Sequence, residues 1–316
     1  AGAGSGKTRT ITYRIAHLVA THRVPPYRIL AVTFTNKAAG EMRHRLTAIV
    51  GEDITRDLWI GTFHGMSAKL LRRYAGEVGL SSNFVIYDDS DQKAVVSRLI
   101  KEFDLDDRKY APKYVLSIIS AAKRDGKNPA DTDLGDGFDS NLVRLGREYQ
   151  AALRRSNAVD FDDLLLYMLQ LVEDPDSLGG RELRRKFDFV MVDEFQDTNW
   201  VQYRIVRALS AHTRNLCVVG DDDQSIYRWR GADVRIIRGF QHDFPETLVV
   251  KLEQNYRSTK NIVSAALGVI EKADNREPKE LWTAEDAGEP VIVRACQDER
   301  AEALYITGAI VRARGQ

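Results

Sequence analysis

The chain opens with a glycine-rich stretch, AGAGSGKT, whose residue types suit the binding of a phosphate chain. Glycines let backbone N–H groups curl around phosphate oxygens, and the positive end of a following helix faces the same oxygens. In this pattern Lys7 reaches the β- and γ-phosphates, and the Thr8 hydroxyl binds Mg²⁺. The usual pattern has glycine where this chain has Ala1. The residues predicted to hold the nucleotide here are Gly2, Ala3, Gly4, Ser5, Gly6, Lys7 and Thr8.

A second group of chemical residues is the acidic stretch VMVDEFQD, at positions 190–197. An apolar strand that delivers adjacent acids at its carboxyl end is the expected partner of a phosphate loop. We predict that Asp193 holds Mg²⁺ through water and that Glu194 orients or deprotonates the attacking water. An acidic turn at a strand end is the plainer interpretation, and the phosphate loop argues against it.

A third group lies in the polar loop VGDDDQSIYRWRG, at positions 219–231. The amide of Gln224 both donates and accepts hydrogen bonds, so it could sense a γ-phosphate. Tyr227 and Trp229 alternate with arginines, including Arg230, which suits stacking on nucleobases. For Trp229, ordinary core packing remains the alternative.

A fourth group is the pair Tyr256 and Arg257 in LEQNYRST, at positions 252–259. Arg257 is suited to act as an arginine finger, and Tyr256 to stack on a nucleobase. A single Tyr-Arg pair is more often an ordinary surface pair, so the prediction depends on the other groups.

The elements that must position these residues alternate between strand and helix. Short apolar runs predict strands at residues 29–34, 58–63, 189–192, 216–219, 248–252 and 291–293. Helical spacing follows most of these runs, which favours a parallel sheet covered by helices. Residues 88–178 read as helices without strands, separated by loops such as residues 131–137, and so as a helical insertion.

Composition bounds the class of protein. The 316 residues correspond to about two domains, and 43% hydrophobic with 29% charged residues excludes a disordered or fibrous chain. No apolar run is long enough to span a membrane, no signal peptide is evident, and two cysteines indicate a reducing intracellular compartment. Net charge is zero, yet the first fifty residues hold eight basic residues and one acid. This asymmetry either marks a surface for a polyanion or is a chance feature of a solvated face.

Seven motifs, in order along nearly the whole chain, carry a family resemblance. They are AGAGSGKT (1–8), TFTNKAA (33–39), GTFHGMSAKLL (61–71), DFDDLL (160–165), VDEFQDTN (192–199), VGDDDQSIYRWRGAD (219–233) and LEQNYRST (252–259). On the basis of these seven motifs, the sequence resembles the N-terminal motor portion of a superfamily 1 DNA helicase of the UvrD/Rep/PcrA type.

The resemblance implies roles for individual residues. It implies that Gln224 couples ATP hydrolysis to DNA, that Arg9 and Arg257 contact the nucleotide, that Tyr256 stacks on adenine, and that Arg230 links the DNA path to the ATP site. It also implies a set of DNA-contacting positions. These are Thr33, Phe34, Asn36, Lys37, Thr62, His64, Phe161, Tyr227, Trp229 and Arg230.

The resemblance further implies a domain organisation. Residues 1–87 and 179–257 would form a first RecA-like P-loop ATPase domain, with a helical insertion at 88–178 and the start of a second RecA-like domain at 258–316. The family's strand before the phosphate loop, its glutamine-containing adenine motif, its later motifs with a second catalytic arginine and its second insertion are not found in the sequence. We therefore expect the chain to be part of a longer helicase.

The implied activity is ATP-driven, Mg²⁺-dependent translocation on single-stranded DNA, in the 3′→5′ direction, with unwinding at single-strand–duplex junctions during repair or replication. We expect a cytoplasmic, nucleoid-associated protein without a membrane partner; accessory repair proteins cannot be read from the sequence. Three alternatives stay open: a translocase that strips proteins from DNA, the motor half of a helicase–nuclease, and a nucleotide-gated DNA-binding module without catalysis. A small-molecule kinase would leave the aromatic–arginine loop unexplained.

Overall fold

The computed structural model describes residues 1–129, 139–273 and 279–315. The strands in chain order are β1 (Ile29–Thr33), β2 (Trp59–Thr62), β3 (Val85–Ile86), β4 (Ala158–Val159), β5 (Phe189–Val192), β6 (Leu216–Val218), β7 (Gln254–Asn255) and β8 (Trp282–Thr283). The helices are α1 (Lys7–Ala20), α2 (Asn36–Val50), α3 (Glu52–Asp57), α4 (Phe63–Tyr74), α5 (Asp89–Glu102), α6 (Pro112–Arg124), α7 (Ser140–Arg155), α8 (Phe161–Glu173), α9 (Leu178–Arg184), α10 (Trp200–Ser210), α11 (Val234–Asp243), α12 (Lys260–Ile270) and α13 (Glu299–Arg314).

The central element is a parallel sheet with the strand order β2-β1-β5-β6. The α/β class predicted from the alternation of strands and helices is therefore confirmed, and four predicted strands are correct to within one residue at each end. Because all four strands run in the same direction, the residues that follow them meet at one edge of the sheet. The acidic stretch after β5 and the polar loop after β6 both lie at that edge.

Both faces of the sheet are buried, which explains why β1 and β5 are continuously apolar. Successive side chains of a strand point to opposite faces. Leu30 and Val32 accordingly pack with α4, α8 and α10, whereas Ala31 and Met191 pack with α1 and α2. Helix α1, which carries the phosphate loop at its beginning, is fixed on the sheet through Ile11 and other apolar side chains.

The helical segment has a separate core. Apolar side chains of α5, α6 and α7 form one cluster, whereas α8 packs in the same cluster as the central sheet. The expectation of no strand within 88–178 is wrong, because β4 lies within this segment and pairs in parallel with β3, which lies just before it. The predicted loop at 131–137 lies outside the described residues. The domain boundaries stay predictions, although the side-chain packing groups α8 with the sheet.

Two predicted strands, 248–252 and 291–293, are wrong. Both stretches are apolar, but they pair with no neighbouring strand among the described residues, and Leu248 and Val293 are 85% and 94% exposed. A strand requires a hydrogen-bonding partner as well as an apolar sequence. The chain instead forms the short parallel pair of β7 and β8. Of the helices in the described ranges, none has the length and apolar character needed to cross a lipid bilayer.

Candidate nucleotide-binding site and aromatic surface

The glycine-rich stretch forms a tight loop at the beginning of α1. Gly6 precedes the helix in the left-handed region, with φ 84° and ψ 25°, and Gly4 has φ 68°. Glycine adopts these angles without steric cost. The Ser5 hydroxyl and the Lys7 ammonium both donate to the carbonyl of Gly2, at 2.7 and 3.3 Å. The buried Lys7 side chain thus folds back over the loop, where a phosphate chain would meet it.

Thr8 and Asp193 come together at the end of β5. The Thr8 hydroxyl donates to Asp193 Oδ2 at 2.7 Å, and the Asp193 backbone N–H donates to the carbonyl of Val32. Burial raises the pKa of Asp193, although the hydrogen bond from Thr8 opposes this shift. A hydroxyl and a carboxylate are the hard oxygen ligands that Mg²⁺ takes beside a phosphate chain. The two predicted magnesium residues therefore fit the metal.

Glu194 turns the chain away from the sheet. Its φ of 51° and ψ of 44° place a non-glycine residue in the left-handed region, which costs of order 1–3 kcal/mol. The carboxylate accepts a hydrogen bond from the Gln196 amide at 3.0 Å. Close by, burial and the Glu194 charge raise the pKa of Asp197 to about 6. One buried Asp197 oxygen has no hydrogen-bond partner within the described residues.

Gln196 is a site residue that the sequence analysis missed. Its side-chain nitrogen Nε2 donates to Glu194, and its side-chain oxygen Oε1 accepts from the backbone N–H of Asp221 at 3.0 Å. Asp221 Oδ2 in turn accepts a hydrogen bond from Gln224 Nε2 at 2.5 Å. Gln196 thus connects the acidic stretch after β5 with the loop that carries Gln224. An amide among carboxylates was the available signal, because an amide bridges one acceptor and one donor.

Lys279 is the second residue that was missed. Its ammonium pairs with Asp221, with Asp222 at 2.5 Å and with Asp223 at 3.2 Å. Burial by itself lowers the pKa of Lys279, but these carboxylates outweigh burial and raise it. The three acids form a cluster that could otherwise hold a cation. No local signal identifies Lys279, since it lies more than fifty positions from the acids along the chain.

The segment after residue 252 lies directly against the phosphate loop. Asn255 Nδ2 donates to the carbonyl of Ala3 at 2.7 Å, and the Tyr256 backbone N–H donates to the carbonyl of Gly4 at 3.0 Å. A Cβ atom on Gly4 would lie 2.8 Å from the Cβ of Arg257, so only glycine fits there. Asn255 also accepts from the Arg257 backbone N–H. Tyr256 and Arg257 are thereby held beside the loop with exposed side chains.

Arg9 points outward from the first turn of α1. Its guanidinium lies 5.4 Å from the centre of the Tyr13 ring, one helical turn away. Tyr13 is 54% exposed. The pair gives a flat, open surface next to the phosphate loop, which suits contact with a nucleotide.

The aromatic loop after β6 is exposed. Trp229 is 72% and Tyr227 37% exposed, and their ring centres lie 6.3 Å apart. The alternative of core packing for Trp229 is therefore rejected. Arg230 lies in the same short turn, Arg228–Arg230.

A second aromatic group lies where α4 and α8 begin. Phe161 is 49% exposed, and the His64 ring meets it edge-on at 6.0 Å. Burial lowers the pKa of His64, which favours the neutral ring. Phe34 meets Phe63 at 5.8 Å and packs partly against the core. Phe34 is thus partly buried by core packing, whereas Phe161 presents an open ring.

The polar DNA candidates differ in their accessibility. Asn36 and Lys37 are exposed in the first turn of α2. Thr62 uses its hydroxyl to accept from the Gly65 backbone N–H, and so caps α4. Thr33 is 1% exposed because it ends a strand between two neighbours, and its hydroxyl makes no hydrogen bond with the described residues. This conformation therefore offers no Thr33 surface to DNA.

Comparisons with known families match both parts of the chain. The UvrD/REP helicase N-terminal domain matches residues 1–245, and the UvrD-like helicase C-terminal domain matches residues 250–316. Domains of this kind are RecA-like P-loop folds, in agreement with the phosphate loop and the parallel sheet.

Individual relatives are similar along almost the whole chain. An ATP-dependent DNA helicase PcrA of Leuconostoc citreum is 46% identical over 99% of this chain and 42% of its own length. A relative with the same name in a strain of Staphylococcus epidermidis is 45% identical over 99% of this chain and 43% of its own length. Another in Bacillus subtilis is 44% identical over 98% of this chain and 42% of its own length. The chain spans about two fifths of the length of these relatives.

Proposed function

The chain belongs to the UvrD/REP helicase family, and we propose that it is the ATP-hydrolysing portion of a motor that moves along single-stranded DNA. The relatives named ATP-dependent DNA helicase PcrA support this proposal at about 45% identity. The site supports it independently, because the phosphate loop, the acidic stretch and the segment of Arg257 meet at one edge of the sheet.

One observation carries the proposal furthest: a continuous hydrogen-bonded path from the acidic stretch to the aromatic loop. Glu194 accepts from Gln196, Gln196 accepts from the backbone of Asp221, and Asp221 accepts from Gln224. The exposed aromatic pair begins three residues after Gln224, at Tyr227. A simple kinase has no need of such a path, whereas a DNA motor must connect hydrolysis to its grip on the strand.

ATP is the substrate, and each residue has a separate task. Lys7 and the loop N–H groups bind the phosphate oxygens, and Arg257 binds the γ-phosphate from the other side. Thr8 and Asp193 would hold Mg²⁺, which supplies charge neutralisation on the phosphates. Glu194 orients the attacking water and accepts its proton. Tyr256 and Arg9 contact the base and the rest of the nucleotide.

DNA lies across the exposed aromatic rings and the basic first fifty residues. Phe161, Tyr227 and Trp229 stack on successive bases, while Lys37 and Asn36 contact phosphates. We further propose 3′→5′ movement, action at single-strand–duplex junctions, a role in repair or replication and association with the nucleoid. These finer points derive from the family resemblance.

The decisive experiment measures ATP hydrolysis by the purified full-length protein, with and without a single-stranded oligonucleotide. We expect strong stimulation by DNA and a fall of at least about 10²-fold in Lys7→Ala, because charge stabilisation at the phosphates is lost. Lys101→Ala, an exposed lysine on α5, is the matched control and should retain the full rate. Equal rates with and without DNA would contradict a motor function.

A strand-separation assay on a naked duplex distinguishes the helicase from a protein-stripping translocase. We expect the full-length protein to unwind and residues 1–316 alone to bind DNA without unwinding. A motor needs two domains that move against each other on one strand, and the chain spans about two fifths of the length of its relatives. Hydrolysis that depends on DNA but never separates strands would favour the translocase. Binding that depends on nucleotide without hydrolysis would favour the non-catalytic module.

A further inference from the structure

A buried ionic cluster lies beneath the exposed ring of Phe161. Lys123, at the end of α6, places its ammonium 2.6 Å from Asp160 Oδ2 and 2.7 Å from Asp163 Oδ1. The side chains of these three residues are 0%, 5% and 0% exposed. Burial alone lowers the pKa of Lys123, but the two carboxylates outweigh it and raise the pKa to about 12. The lysine therefore stays charged.

The same two carboxylates build the N-terminus of α8. Asp160 accepts from the backbone N–H of Asp163 at 2.8 Å, and Asp163 accepts from the backbone N–H of Asp160 at 3.2 Å. Such a reciprocal capping box fixes where a helix begins and how the chain enters it. Phe161 is the first residue of α8, directly inside this cap.

Helix α7 completes the cluster. The Tyr149 hydroxyl donates to Asp160 Oδ2 at 2.9 Å, and the Gln150 amide donates to Asp163 Oδ1 at 3.1 Å. Two carboxylates are thus satisfied by one ammonium, one hydroxyl, one amide and two backbone N–H groups. Removing the ammonium would leave two buried carboxylates side by side without a compensating charge, so one of them would take up a proton and the hydrogen bonds of the cap would change.

A parallel link runs from α6 to the aromatic loop. The Ser120 hydroxyl donates to Asp162 at 2.5 Å, and Arg124 donates to the Ser120 oxygen at 2.6 Å. A Cβ atom on Gly231 would lie 3.0 Å from the Arg124 side chain, so the end of α6 touches the loop that follows Trp229. The end of α6 therefore contacts both segments that present exposed aromatic rings.

We propose that Lys123 is a positioning residue for DNA binding: it holds the Asp160–Asp163 cap and thereby fixes Phe161 on the DNA-contacting surface. The inference rests on the proposed function, because Phe161 must contact DNA for its position to matter. It adds a residue of the helical segment that touches neither ATP nor DNA. The helical segment then contributes to DNA binding through Lys123 of α6, which fixes the beginning of α8.

The test uses Lys123→Met in the full-length protein and measures ATPase rate against the concentration of single-stranded DNA. We expect the half-saturating DNA concentration to rise at least about fivefold, towards the value of Phe161→Ala, for which lost stacking predicts about 5- to 150-fold. The rate at saturating DNA should stay near that of the parent, because the ATP site is intact. The double variant Lys123→Met/Phe161→Ala should be no weaker than Phe161→Ala alone.

A spectroscopic readout reports the ring itself. Phe161→Trp introduces a fluorophore whose emission is quenched when it stacks on a base, after subtraction of the parent signal. Adding Lys123→Met should reduce this quenching at saturating DNA, whereas a purely structural role would leave it unchanged. If Lys123→Met does not fold, Tyr149→Phe removes only one hydrogen bond to Asp160 and should produce a smaller shift in the same direction.

Ile119→Val is the matched control, because Ile119 lies one turn earlier on α6 and is buried in the separate helical core. It should lower thermal stability without changing the half-saturating DNA concentration. A normal DNA dependence in Lys123→Met, or an equal rise in Ile119→Val, would overturn the inference. If Phe161→Ala left the half-saturating DNA concentration unchanged in a protein that binds DNA, the inference would be overturned but the proposed motor function would stand. A parent protein without DNA-stimulated hydrolysis would remove both.

Discussion

The Thr8 hydroxyl and the Asp193 carboxylate, 185 positions apart in the chain, are joined by a 2.7 Å hydrogen bond. We expect Thr8→Val to raise the Mg²⁺ concentration needed for half-maximal ATP hydrolysis about tenfold or more, because one oxygen ligand is lost without a change in shape. A magnesium titration of the ATPase rate measures this. Thr12→Val, which removes a buried hydroxyl one turn later in α1, should leave the titration unchanged. The same titration midpoint in Thr8→Val and the parent would argue against this metal site.

Glu194→Gln should bind ATP and DNA but hydrolyse at least about 10²-fold more slowly, because only the acceptor for the water proton is lost. The amide can still meet Gln196, so the turn after β5 is preserved. Single-turnover hydrolysis and nucleotide-binding fluorescence, measured on the same sample, separate chemistry from binding. Glu102→Gln, an exposed carboxylate on α5, serves as the control. Turnover at the parent's rate would show that another group activates the water.

Trp229→Ala should weaken binding to single-stranded DNA by about 1–3 kcal/mol, since one stacking platform is lost. The slope of log affinity against log salt should stay unchanged, because a neutral ring releases no counterions, while each phosphate contact contributes about −0.7. Fluorescence anisotropy at several salt concentrations measures both quantities. Trp282→Ala, which removes a 52% exposed indole on β8, should leave affinity unchanged. Equal losses in the two variants would remove the special role of Trp229.

Gln224→Ala tests whether the path through Asp221 transmits hydrolysis to DNA. Loss of the γ-phosphate would release the loop and change its grip, a switch of the order–disorder kind. We expect DNA to stimulate the ATPase of this variant much less, while DNA affinity without nucleotide stays near normal. A residue that only completes the phosphate shell would instead slow hydrolysis by the same factor with and without DNA. Gln170→Ala, exposed on α8, is the control.

Asp197→Asn should stabilise the fold above about pH 6 and lose this advantage as the pH falls towards 4. Burial and the Glu194 charge raise the pKa of Asp197 to about 6 in the folded state, against about 3.9 when unfolded. The charged form therefore destabilises the folded protein at neutral pH, and protonation relieves this. Because the side chain is partly exposed, we expect only about 1 kcal/mol at pH 8. Thermal unfolding of the parent and the variant at pH 5 and 8 measures the difference, with the exposed Asp176→Asn as control.

The sequence by itself determined the residues of the phosphate loop, the acids after β5 and the α/β class. These are local features: a glycine pattern that dictates backbone angles, an apolar run followed by acids, and a period that changes between strand and helix. It also indicated the family, because seven motifs in order leave little room for another interpretation. Strand 248–252 was wrong, since apolar character alone cannot reveal whether a neighbouring strand is available.

Only the tertiary structure decided which side chains meet. Lys279 reaches the acids after β6, Asn255 holds the phosphate loop, and Lys123 lies under the cap of α8. Each contact joins segments far apart in the chain, so no local pattern predicts it. Exposure was decided in the same way: the ring of Trp229 is open and Thr33 is buried, because burial depends on how whole elements pack and not on residue type.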